Sequence, residues 1–422
     1  MRITINAKKE ASHSFFSFSL FLKTKNKHPR KAFILVTVAF LSIGLLLTLL
    51  GAELFFTKPK FEPEVFVGMD IGYGDEQTAI KLIDKTADYV NLIILGSLQL
   101  TNDTEALTRV CDHLYQKNIH FIIFVSFSEH GFTPPRGPEP QFFVEAAEKW
   151  GEKFLGVYVF DEVGGKLIDG AHSINMTSAI NYNEAATIYT HHIDFYLKNI
   201  SAYYQPAEFP VFTSDYALYW YDYLSGYDTV FAEFVGNNSR QLAAGLCRGA
   251  AKTLNKDWGA IITWSHDDLG SFIEDPDQLY QDMVLAYQNG AKYIIVFNSP
   301  GFTEEGENPP ITEYGTLTSQ HLKKMQNFWN YLQTQPKKQD YPANTAYVLP
   351  SDYGSGLRGP EDKIWGKWEA DSISSQILSD IDILLRTHVL YLDIVYETQI
   401  GNTPINLPYD NLLFWNGTTI KK

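Results

Sequence analysis

Acids close five of the apolar runs in this chain, and their spacing sets up proton-transfer chemistry. Asp70 follows FVGM, Asp161 and Glu162 follow GVYVF, Asp215 follows VFTS, Glu233 follows TVFA, and Asp267 with Asp268 follows IITWSH. Carboxyl groups gathered at one place raise one another's cost of ionisation, so some hold protons while others stay charged, as paired acid and base work requires. Any one of them could instead cap the helix that follows it, the natural role for Asp75, Asp268 and Asp275. Glu162 and Glu233 fit that role less well, because each leads into a glycine-containing loop, EVGG and EFVGNN.

Aromatic residues surround these acids: Phe127, Phe160, Tyr216, Tyr219, Trp220, Tyr221, Tyr223, Trp258 and Trp264. Flat rings beside carboxylates and amides suit a carbohydrate, which has apolar faces and polar edges. Phe160 and Trp258 read as core, whereas Trp264 and the run YALYWYDY (216–223) read as ligand-facing as readily as core. His266 stands with Asp267 and Asp268 at the end of its run, and Asn298 ends a further one. No Walker loop, GxSxG elbow, HExxH or CxxC pair occurs, so nucleotide hydrolysis, serine esterase, zincin and thiol redox chemistries lack support. The SHDD run (265–268) could ligate a metal only through a tight loop, and the expectation is no metal and no cofactor.

The elements that must position these residues repeat eight times before residue 340. Strand-like runs cover 65–73, 89–98, 120–127, 154–162, 209–216, 229–236, 258–268 and 291–300, each nearly continuous in apolar residues, as parallel strands covered on both faces should be. Amphipathic helix-like runs lie between them, at 75–87, 103–118, 239–255 and 275–290 among others. Eight such units match a closed (β/α)8 TIM barrel over 65–340, while an open doubly wound sheet more often has five to seven strands. Strand candidates at 345–350, 390–397 and 411–417, with a helix near 371–387, predict a small α/β appendage over 341–422 that packs on the barrel.

Residues 32–52 form an uncharged apolar run of about 30 Å as a helix, enough to cross a bilayer. Eight Lys or Arg against one acid precede it in residues 1–31. That asymmetry predicts a cytoplasmic tail (1–31), an uncleaved transmembrane anchor (32–54), a stem (55–64) and a barrel on the extracellular or lumenal side. The whole chain carries −15, leaving about −22 beyond the tail, a surface that would repel nucleic acid. Five glycosylation sequons, at Asn102, Asn175, Asn199, Asn237 and Asn416, all lie beyond the anchor, and Cys111 and Cys247 read as buried thiols.

In Asp161-Glu162 ending the fourth strand, Glu233 ending the sixth, and Trp264 with its acids ending the seventh, the chain resembles the β/α-barrel glycoside hydrolase superfamily over 65 to about 335. The resemblance implies that Glu162 is the acid/base and Glu233 the nucleophile or base, with Asp267 second for that role. It implies ligand contacts from Asp70, Asp161, Asp215, Tyr216, Trp264, His266 and Asn298. A familiar subgroup carries Asn-Glu at strand four and Glu at strand seven, and this chain departs from it at both. The appendage, with its loop DYGSGLRGPEDKIWGKW (352–368), is similar to the small α/β domain that follows some galactosidase barrels. The expectation is a membrane-anchored extracytoplasmic glycosidase acting on oligosaccharides or glycoprotein glycans; the alternative is a non-catalytic carbohydrate-binding or surface-structural barrel.

Overall fold

The computed structural model describes residues 64–127, 136–171, 174–263, 275–298, 312–335, 343–397 and 407–421, and the backbone alone of 265–267, 270–272, 399–400 and 403–404. All fall within one compact unit spanning 63–422. The tail, the anchor and nearly all of the stem lie outside the described residues, among which no helix is long and apolar enough to cross a membrane.

All eight apolar runs become parallel strands: β1 (Phe66–Ile71), β2 (Leu92–Leu95), β3 (His120–Val125), β4 (Phe154–Val159), β5 (Val211–Asp215), β6 (Thr229–Phe234), β7 (Asp257–Ile262) and β8 (Tyr293–Asn298). They close in the order β1-β8-β7-β6-β5-β4-β3-β2. The helices outside the ring are α1 (Glu76–Thr86), α2 (Thr104–Gln116), α3 (Pro140–Trp150), α4 (Val163–Ile168), α5 (Tyr182–Tyr203), α6 (Tyr219–Leu224), α7 (Arg240–Thr253), α8 (Pro276–Gln288) and α9 (Ser319–Thr334). Short polar side chains start several of them: Asp75 accepts from the Thr78 amide at 2.9 Å and Asp275 from the Asp277 amide at 2.8 Å, each satisfying a helix-end donor.

The barrel interior is packed, with Ile122, Tyr158, Phe212, Phe231, Ile261 and Tyr293 among its central side chains. Small residues admit the large rings. A Cβ on Gly259 would stand 2.7 Å from both the Phe231 ring and Tyr293, so β7 can pass here only as glycine. The strands all end earlier than their apolar runs, and two of these ends bear on the site. β4 stops at Val159, because Phe160 and Glu162 take φ of 59° and 58°; β7 stops at Ile262, and 265–267 pairs instead with 270–272 as a separate antiparallel hairpin. The SHDD run is therefore not the end of a barrel strand.

Beyond the barrel, β9 (Thr345–Leu349), α10 (Ser372–His388), β10 (Leu392–Tyr396), β11 (Asn411–Phe414) and β12 (Thr419–Lys421) build the appendage. Its sheet has four strands rather than three, in the order β10-β9-β11-β12, with the last antiparallel. The added strand follows a tight turn after Phe414. Both cysteines are free and buried.

Candidate active site

Side chains alternate between the interior and the helix layer along each barrel strand, so the residue facing the mouth is fixed by register. Phe212 points inward in β5 and Phe231 in β6, and two residues further on Ser214 and Glu233 line a cavity of about 610 Å³ at the carboxyl ends of the strands. Asp70, Phe124, Tyr158 and Phe297 line it from β1, β3, β4 and β8. Asp161 and Glu162 enter from the turn after β4. Non-glycine residues held in the left-handed region cost free energy and persist where the surrounding structure imposes them. Glu162 and Phe160 are two such residues, flanking Asp161.

Four oxygens form a close group. Tyr158 OH lies 2.8 Å from Asp161 Oδ1 and 2.7 Å from Ser214 Oγ. Ser214 Oγ lies 3.0 Å from Asp161 Oδ1 and 2.5 Å from Glu233 Oε1. Two hydroxyls bring two hydrogens to these four contacts, and a proton on Glu233 supplies a third: Glu233 then donates to Ser214, while Ser214 and Tyr158 both donate to Asp161. Electrostatics points the same way. Glu233, 4% exposed, is pushed well above the usual carboxylate range by burial, then by Glu162 and Asp161. Asp161 is also raised, by its deep position and by Glu162, yet 48% of its side chain is open to the cavity, so its desolvation is the weaker. Glu162 pairs with Lys166 at 3.0 Å, and Lys166 also stands 3.8 Å from Asp161.

Asp215 does not line the cavity. Its Oδ2 accepts from the Gly164 amide at 2.5 Å and its Oδ1 from the amides of Gly165, Tyr216 and Ala217 at 2.8, 2.7 and 3.0 Å. It ties β5 to the start of α4, and burial lifts it to about 7 against the pull of those four donors. Asn298 is likewise committed to structure, donating to the Tyr314 carbonyl at 2.8 Å and accepting from Thr316 at 3.2 Å. Tyr216 donates to Asp169 at 2.7 Å, away from the cavity lining. Trp264 lies outside the described residues, as do the side chains of His266 and Asp267. Within the YALYWYDY run, Tyr219, Trp220, Tyr221 and Tyr223 are all buried. Trp220 packs on Tyr396 of the appendage at 5.7 Å, and Tyr221 on Trp365 at 4.6 Å.

The rings that do line the cavity are Tyr73, Phe124, Tyr158 and Phe297. Of the lining residues, the sequence reading singled out Asp70, Asp161, Glu162 and Glu233, and passed over Phe124, Tyr158, Ser214 and Phe297; it also passed over Lys166 behind them. The period of two was the available signal. Counted back along β5 from Asp215, or along β8 from Asn298, it turns those two terminal residues outward and makes Ser214 and Phe297 the inward ones. Among the described residues no group of three or more His, Cys, Asp or Glu is arranged to hold a metal ion.

No protein-family model matches the chain, and no curated protein sequence matches it. Among solved structures, a polyextremophilic β-galactosidase from the Antarctic haloarchaeon Halorubrum lacusprofundi superposes with a TM-score of 0.53 at 9% identity, covering 83% of this chain and 68% of that one. A family 5 glycoside hydrolase from Streptomyces cattleya, in complex with Manβ1-4GlcNAc, gives 0.49 at 10% identity over 84% of this chain and 100% of its own. A family 99 endo-α-mannosidase from Bacteroides thetaiotaomicron gives 0.39 at 11% identity over 64% and 98%. At these identities the likeness is one of fold alone: the chain has a (β/α)8 barrel.

Proposed function

We propose that the barrel is the catalytic domain of a glycoside hydrolase, held outside the cytoplasm by the apolar segment 32–54 and acting on oligosaccharide or glycoprotein glycans. The observation that carries the reading is the convergence of Asp161, Glu162 and Glu233 on one cavity, with Glu233 closed off and Asp161 and Glu162 more open.

Glu233 holds its proton and delivers it to the glycosidic oxygen as the bond to the leaving sugar breaks. Glu162, 3.0 Å from Lys166, faces the oxocarbenium-like centre, either bonding to the anomeric carbon or drawing a proton from water. Asp161 stabilises the developing positive charge and takes the hydrogen bonds of Tyr158 and Ser214. Burial thus reverses the two roles that the resemblance implies, since the acid that most resists ionisation stands on β6 and not after β4. The rings of Tyr73, Phe124 and Phe297 supply apolar faces for sugar rings.

One contact favours a second reading, a barrel that binds carbohydrate without cleaving it: the ion pair from Glu162 to Lys166 at 3.0 Å occupies a carboxylate that catalysis needs. The pair is partly solvated, with side chains 29% and 38% exposed, and exposed pairs of this kind hold weakly enough for a substrate to displace. Hydrolysis of a panel of aryl glycosides and natural glycans by the full chain decides between them. Turnover that falls by about 10² to 10⁴ in Glu233→Gln and in Glu162→Gln, both still folded, supports the hydrolase. Saturable glycan binding with no turnover on any substrate establishes the binding protein.

A further inference from the structure

The half of the cavity farthest from Glu233 lacks a binding partner for its own acid. Asp70 is 7% exposed and lines the cavity, and its Oδ1 has no hydrogen-bond partner among the described residues. Glycine backbone packs against that oxygen, since a Cβ on Gly96 would stand 2.4 Å from it, and Gly72, Gly74 and Gly96 line the cavity beside Asp70. A nearly buried carboxyl with an unpaired oxygen beside a cavity is costly to keep, and a ligand group that bonds the carboxyl relieves that cost. The neighbouring hydroxyl cannot, because Ser97 donates to the Gly74 carbonyl at 2.6 Å.

Charge narrows what the missing group can be. Asp70, Asp161, Glu162 and Glu233 all line the cavity, and no Lys, Arg or His does so among the described residues. Lys166 stands behind this wall, engaged with Glu162 and with the carbonyl of Asp161 at 3.0 Å. Sugars with carboxylate, sulfate or phosphate groups would meet four acids and no facing cation. A hydroxyl would give Asp70 one hydrogen bond. An ammonium gives it a charge-assisted bond and also offsets the repulsion among the four acids.

Resting on the reading of this cavity as a sugar site, we propose that its substrate is a glycan containing an amino sugar with a free, protonated amine, and that Asp70 is the residue that selects it. The acidic surface of the chain beyond its tail draws such polycations toward the mouth.

The test is calorimetric binding to the full chain, in a detergent without a sugar headgroup, of glucosamine and galactosamine oligomers against their N-acetylated and neutral hexose counterparts. The amine-bearing oligomers should bind about ten-fold tighter or better at low salt, as one charged hydrogen bond in a partly closed site provides. Half-molar salt should narrow the ratio. In Asp70→Asn, shown folded by its unfolding curve, the ratio should fall close to one. Equal or tighter binding of neutral or N-acetylated oligomers by the unaltered chain overturns the proposal without recourse to any variant, and so does a preference that survives Asp70→Asn. Turnover is not the readout: a preference for amines in a chain that cleaves nothing supports this inference while the hydrolase reading fails, and cleavage of neutral glycans with no such preference does the reverse.

Discussion

Two clusters of buried acid in this molecule are built on opposite terms. At the junction of barrel and appendage, Asp393 of β10 is 0% exposed; its Oδ1 accepts from Arg248 Nε of α7 at 2.6 Å and its Oδ2 from Tyr409 OH at 2.8 Å. The remaining nitrogens of Arg248 reach Asn289 Oδ1 at 2.7 Å and the Leu392 carbonyl at 2.9 Å. A Cβ on Gly249, one residue on, would stand 2.7 Å from the Ile394 carbonyl, so the helix meets the strand backbone to backbone. In the mouth, Asp70 Oδ1 has no partner among the described residues and Glu233 has the Ser214 hydroxyl, while Asp161 takes two hydroxyls with Lys166 3.8 Å away. Burial therefore does not tell a functional acid from a structural one. The partners differ: at the joint a dedicated cation fixes Asp393, whereas in the mouth Asp70 and Glu233 have none.

The largest effect that tests this contrast is on the joint. Arg248→Ala leaves Asp393 buried without its cation and should cost about 3 to 5 kcal/mol of stability, measured by denaturant unfolding. Glu233→Gln removes a carboxyl that resists ionisation and should leave stability equal or higher. A loss from Arg248→Ala no greater than that of an ordinary surface change would dissolve the distinction.

A smaller effect joins the two regions. Arg358, in the appendage loop 352–368, donates to Asp169 at 2.7 and 3.2 Å and to Asp362 at 2.7 and 3.1 Å, and its guanidinium lies 5.4 Å from the Tyr216 ring centre. Asp169 closes α4, the helix that starts at Glu162 and carries Lys166. Arg358→Ala should cost about 1 to 3 kcal/mol and lower turnover by up to about 10², through misplacement of Glu162. Arg358→Lys keeps the charge but not the fork, and should recover stability more than turnover. Unchanged turnover with reduced stability would make the loop a fastener only.

Much of the barrel was legible because a parallel strand covered on both faces must be apolar throughout, and eight such runs with helices between them admit few other folds. Strand ends were not. Nothing in GVYVFDE states that the backbone turns left-handed at Phe160 and Glu162, and IITWSHDD reads as one strand until a hairpin claims its second half. The site was legible where an acid happened to fall on the inward register, as Asp70 and Glu233 do, and misleading where it fell on the outward one, as with Asp215. The tyrosines and tryptophan of α6 look like a sugar platform in one dimension. Trp220 and Tyr221 are instead covered by Tyr396 and Trp365 of the appendage, 176 and 144 residues later in the chain.

The smallest effect concerns acid and stability. Asp70 is held well above its ordinary value of 3.8, first by burial and then by Asp161, so the folded chain binds this proton more tightly than the unfolded one. A group of that kind contributes stability fully present below the unfolded value and lost as pH rises toward the raised folded one. Asp215, lifted to about 7, loses its share between its ordinary value and neutrality. Asp70→Asn keeps the shape and removes one titrating group. Unfolding free energies of the two chains should be close near pH 3.5, and the variant should gain on the unaltered chain as pH rises, by about 1.4 kcal/mol for each unit that Asp70 is raised. Taking the difference between the chains cancels the paired acids elsewhere, such as Asp169 beside Arg358, whose lowered values act with the opposite sign. A difference that stays flat or shrinks with rising pH would mean that Asp70 is already satisfied in the free protein, and the mouth would then be built on the same terms as the joint.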